Sequence, residues 1–418
     1  MDSFLIEGGK KLEGEVNISG AKNAALPLLA ASLLCEGTHS LENVPRLRDI
    51  STMLKLLSHL GVSSEQNGNG VKLNADKIVA DDAPYELVKT MRASVLVMGP
   101  LVARLRHAKV SLPGGCAIGA RPIDLHLKAL EQMGAKVELH DGYVEVFAEN
   151  LKAAHISFDK VTVTGTENIM MAACLLKGTT ILENAAKEPE VVELAEHLCN
   201  MGAKIRGAGT HHIEIEGVEK LHAVHHRVMS DRIEAGTFVI AAAITGGKIT
   251  LHNAPTENLS VFLDRIIDTG ASVEKNKNDL TIIGASEIKS VNISTAPHPG
   301  FATDLQAQFM ALMCKANGTS IINENIFENR FMHVPELKRM GADINIEGHT
   351  AIVNGKRKLT GAPIMATDLR ASACLVLAAL AADGQTEVSR IYHLDRGYDH
   401  MEEKLCALGA NIIRKKNI

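Results

Sequence analysis

The stretch Gly178-Thr-Thr-Ile-Leu-Glu-Asn184, followed by Met201-Gly-Ala-Lys-Ile205, contains the pattern that determines the fold. An apolar helix ends at Gly178 and a strand follows; an amphipathic helix then ends at Gly202, and another strand begins. Glycine ends helices because it adopts positive φ at little cost. The pattern occurs six times with a period of about 70 residues. Its second glycine stands at positions 61, 134, 202, 270, 341 and 409.

One copy of this pattern differs from the others. The two glycines are 23 to 25 residues apart in five copies, but 27 residues separate their counterparts His107 and Gly134 in the second copy. The extra residues follow the predicted strand Val110-Ser-Leu112, where Pro113-Gly-Gly-Cys116 stands. A repeat kept only for its fold has little reason to be interrupted there. This loop is therefore predicted to be functional.

Each repeat is predicted to run strand, helix, strand, helix, strand. The first helix of a repeat is apolar on nearly every side, which indicates burial all round. We therefore predict an α/β fold of two inside-out, barrel-like domains. Each contains three pseudo-symmetric repeats, with helices at the centre and sheets outside. The helices with this composition lie at residues 24–34, 94–102, 169–176, 238–244 and 374–381.

The six repeats divide into two sets of three. The first domain is predicted to span residues 22–229, and the second to combine residues 1–21 with 230–418. The leading segment goes with the second domain because its apolar stretches have no partner in the adjacent repeat. Two crossings, near residues 21 and 230, then form a double-crossover hinge. A cleft between two lobes is a favoured ligand site.

Composition excludes several classes of function. The net charge of −5 argues against a nucleic-acid binder. Apolar runs reach only about a dozen residues, too short to cross a bilayer, and the first residues do not resemble a signal peptide. An odd count of seven cysteines without Cys-x-x-Cys pairs favours reduced thiols and a cytoplasmic protein.

Cys116 differs from the other cysteines in its surroundings. It follows Pro-Gly-Gly and lies five residues before Arg121, and a thiol near a cation in a loop is a candidate reactive group. The remaining cysteines stand in apolar runs at helical spacing, where free cysteine usually behaves as a small buried hydrophobe. These predicted structural cysteines are Cys35, Cys174, Cys199, Cys314, Cys374 and Cys406.

A repeated tetrapeptide leaves one aspartate open to two interpretations. Ala302-Thr-Asp-Leu305 recurs as Ala366-Thr-Asp-Leu369, and Asp231 occupies a similar place in the fourth repeat. Aspartate before a helix is typical of an N-cap. The pattern alone allows Asp304 to be either a cap or a catalytic base.

Motifs along the whole chain carry a family resemblance. The sequence resembles the UDP-N-acetylglucosamine 1-carboxyvinyltransferase family of enolpyruvyl transferases, whose two inside-out domains agree with the repeats. The motifs are Gly20-Ala-Lys-Asn-Ala-Ala25, Pro113-Gly-Gly-Cys-Ala-Ile-Gly-Ala-Arg-Pro122, Ile123-Asp-Leu-His126, Thr295-Ala-Pro-His-Pro299, Thr303-Asp304, Glu328-Asn-Arg-Phe-Met-His-Val-Pro-Glu-Leu337, Met365-Ala-Thr-Asp-Leu-Arg-Ala-Ser372 and Asp395-Arg-Gly-Tyr398.

The resemblance implies a reaction. The enolpyruvyl group of phosphoenolpyruvate passes to the 3′-hydroxyl of UDP-N-acetylglucosamine through a tetrahedral intermediate, and phosphate leaves. This is the first committed step of peptidoglycan precursor synthesis. The resemblance also implies a monomer that needs no organic cofactor, a thiol that forms a pyruvate adduct, and inactivation by fosfomycin.

The resemblance also assigns residues. Cys116 is expected to be the acid that protonates phosphoenolpyruvate, and Asp304 the base for the sugar hydroxyl. Lys22 and Arg396 complete the catalytic set. The expected phosphoenolpyruvate ligands are Lys22, Asn23, Arg121, Arg370 and Arg396. The expected UDP-N-acetylglucosamine ligands are Arg92, Arg121, Pro122, Ile123, Asp124, Leu125, Lys160, Val161, Thr162, Val163, Asp304 and Ile326.

Other interpretations stay open. Lys22 can be a solvated surface lysine, and Arg92 can simply pair with an acid. The adjacent histidines at 211–212 and 225–226 would point to opposite faces of a strand, so we predict no metal site. Rival functions are a shikimate-type enolpyruvyl transferase, a non-catalytic regulator that binds a nucleotide sugar, and a scaffold of repeats.

Overall fold

The computed structural model describes residues 2–112, 123–355 and 358–416. The described chain divides into two compact units. The first unit comprises residues 20–112 and 123–229, and the second comprises residues 2–19, 230–355 and 358–416. The chain passes between them after Ser19 and after Met229. The double-crossover hinge stays a prediction.

The strands are short, and most have five residues. In chain order they are β1 (Ser3–Glu7), β2 (Glu13–Asn17), β3 (Thr38–Glu42), β4 (Ser63–Asn67), β5 (Gly70–Asn74), β6 (Asp82–Ala83), β7 (His107–Ser111), β8 (Lys136–His140), β9 (Tyr143–Phe147), β10 (His155–Ser157), β11 (Thr179–Glu183), β12 (Lys204–Arg206), β13 (His212–Glu216), β14 (His225–Arg227), β15 (Lys248–His252), β16 (Ser272–Asn276), β17 (Asp279–Ile283), β18 (Ile293–Ser294), β19 (Thr319–Asn323), β20 (Asp343–Glu347), β21 (Thr350–Asn354), β22 (Pro363–Met365), β23 (Gln385–Ser389) and β24 (Asn411–Lys415).

Helices alternate with these strands. They are α1 (Lys22–Ala31), α2 (Arg48–Leu60), α3 (Tyr85–Val88), α4 (Met98–Leu105), α5 (Asp124–Gln132), α6 (Val163–Ala173), α7 (Pro189–Asn200), α8 (Arg232–Thr245), α9 (Ser260–Asp268), α10 (Gln306–Cys314), α11 (Val334–Arg339), α12 (Leu369–Leu380) and α13 (Met401–Ala407). Shorter 3₁₀ helices lie at Ser32–Leu34, Arg92–Val97, Thr256–Leu259, Thr303–Leu305 and Ile391–Arg396.

Six four-stranded sheets, three in each unit, are present in the described chain. In the sheet β10-β11-β13-β12 the first pair is parallel and the other pairs are antiparallel. The same arrangement recurs in the sheet β18-β19-β21-β20. A repeat therefore runs strand, helix, strand, helix, hairpin. Our prediction of a single strand after the second helix was wrong, because that segment turns back as a hairpin and pairs with itself.

Strands from the first and last segments of each unit complete the sheets. β14, the last strand of the first unit, pairs in parallel with β3. In the second unit β2 pairs in parallel with β15, and β1 inserts between β23 and β24. The leading segment thus supplies two strands to the second unit, in sheets that residues 230–416 leave one strand short.

The apolar helices form the core of each unit, as predicted. In α8 every residue from Arg232 to Ile244 is buried, and so is every residue of α10. The sheets bury one face and expose the other, as the alternating burial along β13 shows. The predicted α/β class, with central helices and outer sheets, is confirmed.

The helix-ending glycines are also confirmed. The six glycines that define the repeat, at positions 61, 134, 202, 270, 341 and 409, have φ between 91° and 106°. A side chain at such φ values is strained. The sequence pattern therefore reports a real backbone requirement.

The cysteines are only partly as expected. Cys35, Cys174, Cys314 and Cys374 are buried, whereas Cys199 and Cys406 are exposed. These two occupy matching places near the ends of α7 and α13, next to the buried Leu198 and Leu405. Helical spacing turns neighbours of a buried residue toward the other face. The prediction that they are buried was wrong for this reason.

The described helices do not include one that is long and apolar enough to traverse a bilayer.

Candidate active site

Asp304 lies in the 3₁₀ turn Thr303–Leu305 that precedes α10. Its two carboxylate oxygens accept hydrogen bonds from two arginines: Arg330 Nη2 lies 2.7 Å from Oδ1, and Arg370 Nη2 lies 2.7 Å from Oδ2. The sequence pattern brings Asp304 and Arg370 to the starts of neighbouring helices, while Arg330 precedes α11. The structure thus joins two of the predicted site residues directly.

The two arginines determine the charge of this carboxylate. Burial by itself raises the pKa of Asp304, but the Arg370 and Arg330 guanidiniums hold that pKa well below its usual range. Burial opposes the charge of Arg370 as well, and Asp304 raises the pKa of Arg370 above its ordinary value. Both side chains are therefore ionised at neutral pH. The side chain of Asp304 keeps 24% of its surface exposed, so a ligand can reach it.

The two related aspartates behave differently. Asp231 accepts hydrogen bonds from the backbone N–H groups of Ile233 and Glu234, at 2.7 and 3.1 Å. Asp368 likewise accepts from the N–H groups of the second and third residues after it, at 2.9 and 3.0 Å. These are N-caps. The 3₁₀ helix that contains Asp304 and helix α10 have no side-chain cap, so of the two interpretations the structure excludes the cap for Asp304.

Each arginine has a second contact. Arg330 Nη1 donates to Thr303 Oγ1 at 2.8 Å, and its guanidinium carbon lies 4.9 Å from the centre of the Phe327 ring. Arg370 Nη1 donates to the Tyr398 hydroxyl at 3.4 Å, and its guanidinium carbon lies 5.7 Å from that ring centre. The shorter hydrogen bond holds Arg330 more firmly than the longer one holds Arg370.

Ile326, predicted to contact the sugar nucleotide, lies in a loop organised by Glu324. One oxygen of this carboxylate accepts the backbone N–H groups of Ile326 and Phe327, at 2.9 and 3.1 Å. Its other oxygen accepts the Thr303 hydroxyl at 2.8 Å. Ile326 is thereby tied to the turn that carries Asp304.

Arg396 ends the 3₁₀ helix Ile391–Arg396. The next residue, Gly397, lies so close to Leu369 that an added Cβ would be 2.5 Å from its Cδ2 atom. A larger residue there would displace the Leu369 side chain, so the chain between Arg396 and Tyr398 packs closely against the start of α12. The structure thus brings Arg396 to the same helix start as Arg370.

In the first unit the predicted residues also lie where central helices begin. Lys22 is the first residue of α1, and its Nζ is 3.2 Å from Asp49 Oδ2. Its side chain is 12% exposed, so the interpretation of Lys22 as a solvated surface lysine is wrong. Asn23 follows it, half-buried. The start of a helix adds positive potential to that of the ammonium group.

The other predicted ligands of this unit begin the second and third central helices. Arg92 starts the 3₁₀ helix Arg92–Val97, which runs into α4. Lys160 and Val161 are exposed, and Thr162 caps α6 by accepting the Gly165 N–H at 3.2 Å. Val163 is the first residue of that helix. Lys22, Arg92 and this segment thus occupy related places in three repeats.

Ile123, Asp124 and Leu125 lie at the start of α5. Ile123 is buried, Asp124 is exposed and Leu125 is half-buried. Leu125 lines a shallow pocket of about 290 Å³ whose other wall is the segment 156–159. The predicted segments 123–125 and 160–163 thus adjoin one depression.

Cys116, Arg121 and Pro122 lie outside the described residues.

Sequence reasoning missed Glu324 and Thr303 as members of the Asp304 cluster, and it gave Tyr398 no role. A signal for Glu324 exists in the repeats: three sibling strands are followed by Asn43, Asn184 and Asn253. No cluster of His, Cys, Asp or Glu that could hold a metal ion is present among the described residues.

Comparison with known proteins agrees with this architecture. Residues 6–405 match the family model of EPSP synthase (3-phosphoshikimate 1-carboxyvinyltransferase). A UDP-N-acetylglucosamine 1-carboxyvinyltransferase of Geotalea uraniireducens is 60% identical over 414 residues, 99% of each chain. One from Myxococcus xanthus is 55% identical over 419 residues, 100% of both chains.

Solved structures have the same fold. The crystal structure of the enolpyruvyl transferase NikO from Streptomyces tendae matches with a TM-score of 0.89 at 25% identity, over 99% of this chain and 98% of that one. EPSP synthase from Acinetobacter baumannii matches with a TM-score of 0.78 at 19% identity over 100% of both chains, a likeness of fold alone. The chain belongs to the EPSP synthase family of enolpyruvyl transferases, in the branch formed by the UDP-N-acetylglucosamine 1-carboxyvinyltransferases.

Proposed function

We propose that this protein transfers the enolpyruvyl group of phosphoenolpyruvate to the 3′-hydroxyl of UDP-N-acetylglucosamine and releases phosphate. This is the first committed step of peptidoglycan precursor synthesis. The observation that supports it most is Asp304, an accessible carboxylate held between Arg330 and Arg370 at a helix start. Its two sibling aspartates cap helices. The full-length likeness to enzymes of that name supports the choice of substrates.

The reaction needs an acid, a base and several cations. The sugar oxygen bonds to carbon 2 of phosphoenolpyruvate while carbon 3 takes a proton, which gives a tetrahedral intermediate. Loss of a proton from carbon 3 and of phosphate from carbon 2 then restores the double bond. We assign the proton on carbon 3 to Cys116 and the removal of the hydroxyl proton to Asp304. Lys22, Asn23, Arg121, Arg370 and Arg396 bind the anion.

The described contacts suggest how Asp304 becomes a base. With both oxygens bound to guanidiniums, its pKa is too low for efficient proton removal at neutral pH. Arg370 is also a proposed ligand of phosphoenolpyruvate, whose phosphate and carboxylate compete for guanidinium groups. When the anion takes Arg370, one Asp304 oxygen is freed and the pKa of Asp304 rises. The base then becomes active when the second substrate is present.

The first unit supplies the proposed nucleotide-sugar contacts. Arg92, Lys160 and the segment from Arg121 to Leu125 would bind UDP-N-acetylglucosamine, with Val161, Thr162 and Val163. Helix starts favour anions such as a diphosphate. The depression between Leu125 and residues 156–159 adjoins these segments.

A coupled phosphate-release assay tests the proposal. The protein is incubated with phosphoenolpyruvate and either UDP-N-acetylglucosamine or shikimate 3-phosphate. Release with the sugar nucleotide alone is expected. Release only with shikimate 3-phosphate would show the rival reaction, and binding of the nucleotide without any release would show a regulator.

Fosfomycin provides a second arm of that assay. It should abolish release by the wild-type protein, because it alkylates a thiol at the position proposed for Cys116. The Cys116→Asp variant keeps an acid at that place and should stay active in its presence. If wild-type activity persists after fosfomycin treatment, Cys116 is not the acid.

We further propose that the protein acts as a monomer in the cytoplasm. The six cysteines of the described residues are free thiols, which suits a reducing compartment. Light scattering during size-exclusion chromatography tests the monomer, which predicts a mass near 44.8 kDa. Twice that mass would overturn it.

A further inference from the structure

We propose that Glu324 is a positioning residue which, through the Thr303 hydroxyl, fixes Arg330 against Asp304. This inference rests on the proposed function, because it concerns the group assigned as the base. Glu324 is 1% exposed and so cannot itself contact a substrate. It acts only through the residues around it.

The repeats vary at this position, where the second copy has Leu112 and the sixth has Arg390. In three sibling copies the residue after the corresponding strand is asparagine with φ between 56° and 58°, namely Asn43, Asn184 and Asn253. Asn43 and Asn184 donate to backbone carbonyls at 2.9 Å. The fifth copy instead buries the carboxylate of Glu324, which is costly without compensating partners. A structural repeat has no evident need for this change.

The four contacts of Glu324 satisfy that carboxylate. Oε1 accepts the Thr295 hydroxyl at 3.0 Å and the N–H groups of Ile326 and Phe327. Oε2 accepts the Thr303 hydroxyl at 2.8 Å. One oxygen therefore holds the loop, and the other holds the turn that carries Asp304.

The direction of the hydrogen bonds follows from the chemistry. A carboxylate only accepts, so Thr303 gives its proton to Glu324. The Thr303 oxygen is then oriented to accept from Arg330 Nη1 at 2.8 Å, while Arg330 Nη2 donates to Asp304. Glu324, Thr303, Arg330 and Asp304 form one continuous chain of hydrogen bonds. The negative charge of Glu324 also attracts the arginine it orients.

This series of hydrogen bonds holds Arg330 more firmly than Arg370 is held. Arg330 is anchored behind by Thr303 and Glu324, whereas the hydrogen bond from Arg370 to Tyr398 measures 3.4 Å. Arg330 thus stays on Asp304 while Arg370 is free to move to an anion. Without the anchor, an incoming phosphate could draw away either arginine, and the base would lose its orientation.

Thr295 and Thr303 provide a matched pair of variants. Each hydroxyl donates to Glu324, but only that of Thr303 leads to Arg330. Thr303→Val removes the connection, and Thr303→Ser keeps it. Thr295→Val removes a hydrogen bond to the same carboxylate, together with the one that Thr295 Oγ1 accepts from the Asn325 N–H at 2.9 Å, without touching that connection. Both valine variants thus lose one donated and one accepted hydrogen bond. Glu324→Gln keeps an oxygen for the loop but presents an N–H group to Thr303, whose proton then has no acceptor.

The experiment measures kcat and both KM values by phosphate release, together with thermal unfolding. Thr303→Val and Glu324→Gln should lower kcat by roughly tenfold or more, and Thr303→Ser should restore it to within about twofold. Thr295→Val should lower the melting temperature as much as Thr303→Val does and leave kcat within about twofold of the wild type.

Two kinds of failure are distinguishable. If the wild-type protein releases no phosphate, the proposed function fails and this inference with it. If the wild type is active but Thr303→Val and Thr295→Val have equal kcat, only the positioning role fails. Should Glu324→Gln not fold, the Thr303 variants alone still decide, because their side chain is half-buried and the serine retains the hydroxyl.

Discussion

The turn before α10 and the start of α12 contain the same four residues, Ala-Thr-Asp-Leu, yet their aspartates do different things. Asp368 directs its carboxylate to the backbone and caps α12. Asp304 is the second residue of a 3₁₀ turn, and its carboxylate binds two arginines and caps no helix. Identical local sequence therefore gives a structural residue in one repeat and a candidate catalytic residue in another.

The difference lies in residues distant in sequence. Arg330 reaches Asp304 from the segment before α11, and Arg370 reaches it from α12. The pseudo-symmetry of the repeats supplies three equivalent helix starts. At one of them, two arginine side chains converge on Asp304. Function is thus to be sought where sibling copies share a motif but not its surroundings.

Replacing each of these aspartates by asparagine tests their different roles with the largest expected effect. Asp304→Asn should lower kcat by about 10² to 10⁴, the usual contribution of a general base, because an amide cannot take the hydroxyl proton. Phosphate release with both substrates measures this effect. Near-wild-type turnover would remove Asp304 from the mechanism.

The same variants should also differ in stability. Asparagine caps a helix as well as aspartate does, so Asp368→Asn should change the free energy of unfolding by less than about 1 kcal/mol. Asp304→Asn leaves two buried guanidiniums without their anion and should cost about 3 kcal/mol.

Chemical denaturation at pH 7 measures both costs. The contribution of Asp304 is present above the unfolded pKa of about 4, because folding lowers its pKa. It is lost as pH falls through the folded value. Equal costs for Asp304→Asn and Asp368→Asn would show that the two arginines do not make Asp304 more important for stability than a helix cap.

Acid should destabilise the protein through buried histidines, of which His197 in the first unit is one. The first unit buries His197 without partners for either ring nitrogen. Burial, with smaller contributions from His226 and His39, lowers the pKa of His197 to about 3. The unfolded chain takes up this proton below about pH 6.5, so stability should fall as the pH drops toward the folded value. Between pH 6.5 and 5, His197 should account for a loss of about 2 kcal/mol.

His197→Leu should remove that loss, because an apolar side chain binds no proton. Denaturation at pH 6.5 and pH 5 measures the difference, with His211→Leu, at an exposed position, as the matched control. The same acid loss in His197→Leu and the wild type would contradict the assignment.

The smallest expected effect concerns Tyr398. Tyr398→Phe keeps the ring beside Arg370 but removes the hydroxyl, which lies 3.4 Å from Arg370 Nη1 and is also hydrogen-bonded to Thr237 at 2.9 Å and to Gln308 at 3.2 Å. Because the bond to Arg370 is the longest of the three, we expect a fall in kcat of only about threefold, with a lower melting temperature from the loss of the other two. Tyr392→Phe, in the adjacent 3₁₀ helix, is the control. A loss as large as that of Thr303→Val would mean that Arg370, and not Arg330, is the anchored arginine.

The fold was predictable because its signals are local and repeated. Helix-ending glycines such as Gly202 report positive φ directly, and an all-apolar helix such as α8 has to be buried. The hairpins were missed although the sequence signals one of them: Asp141-Gly142, with positive φ at both residues, joins β8 to β9. Cys199 was misplaced because a single residue on an amphipathic helix can face either way.

The site was less predictable from sequence. The pattern identified Asp304 but could not separate a cap from a base, because the deciding partners Arg330 and Arg370 are 26 and 66 residues away. Glu324 has no motif of its own. Its only sequence signal is that it replaces the asparagine of sibling repeats.

A structure with both substrates bound tests the central claim most directly. The account predicts that an Asp304 oxygen lies within hydrogen-bonding distance of the sugar 3′-hydroxyl, that Arg330 remains on the other oxygen, and that Arg370 has moved to the anion. An Asp304 that still holds both guanidiniums, with the sugar hydroxyl out of its reach, would contradict it.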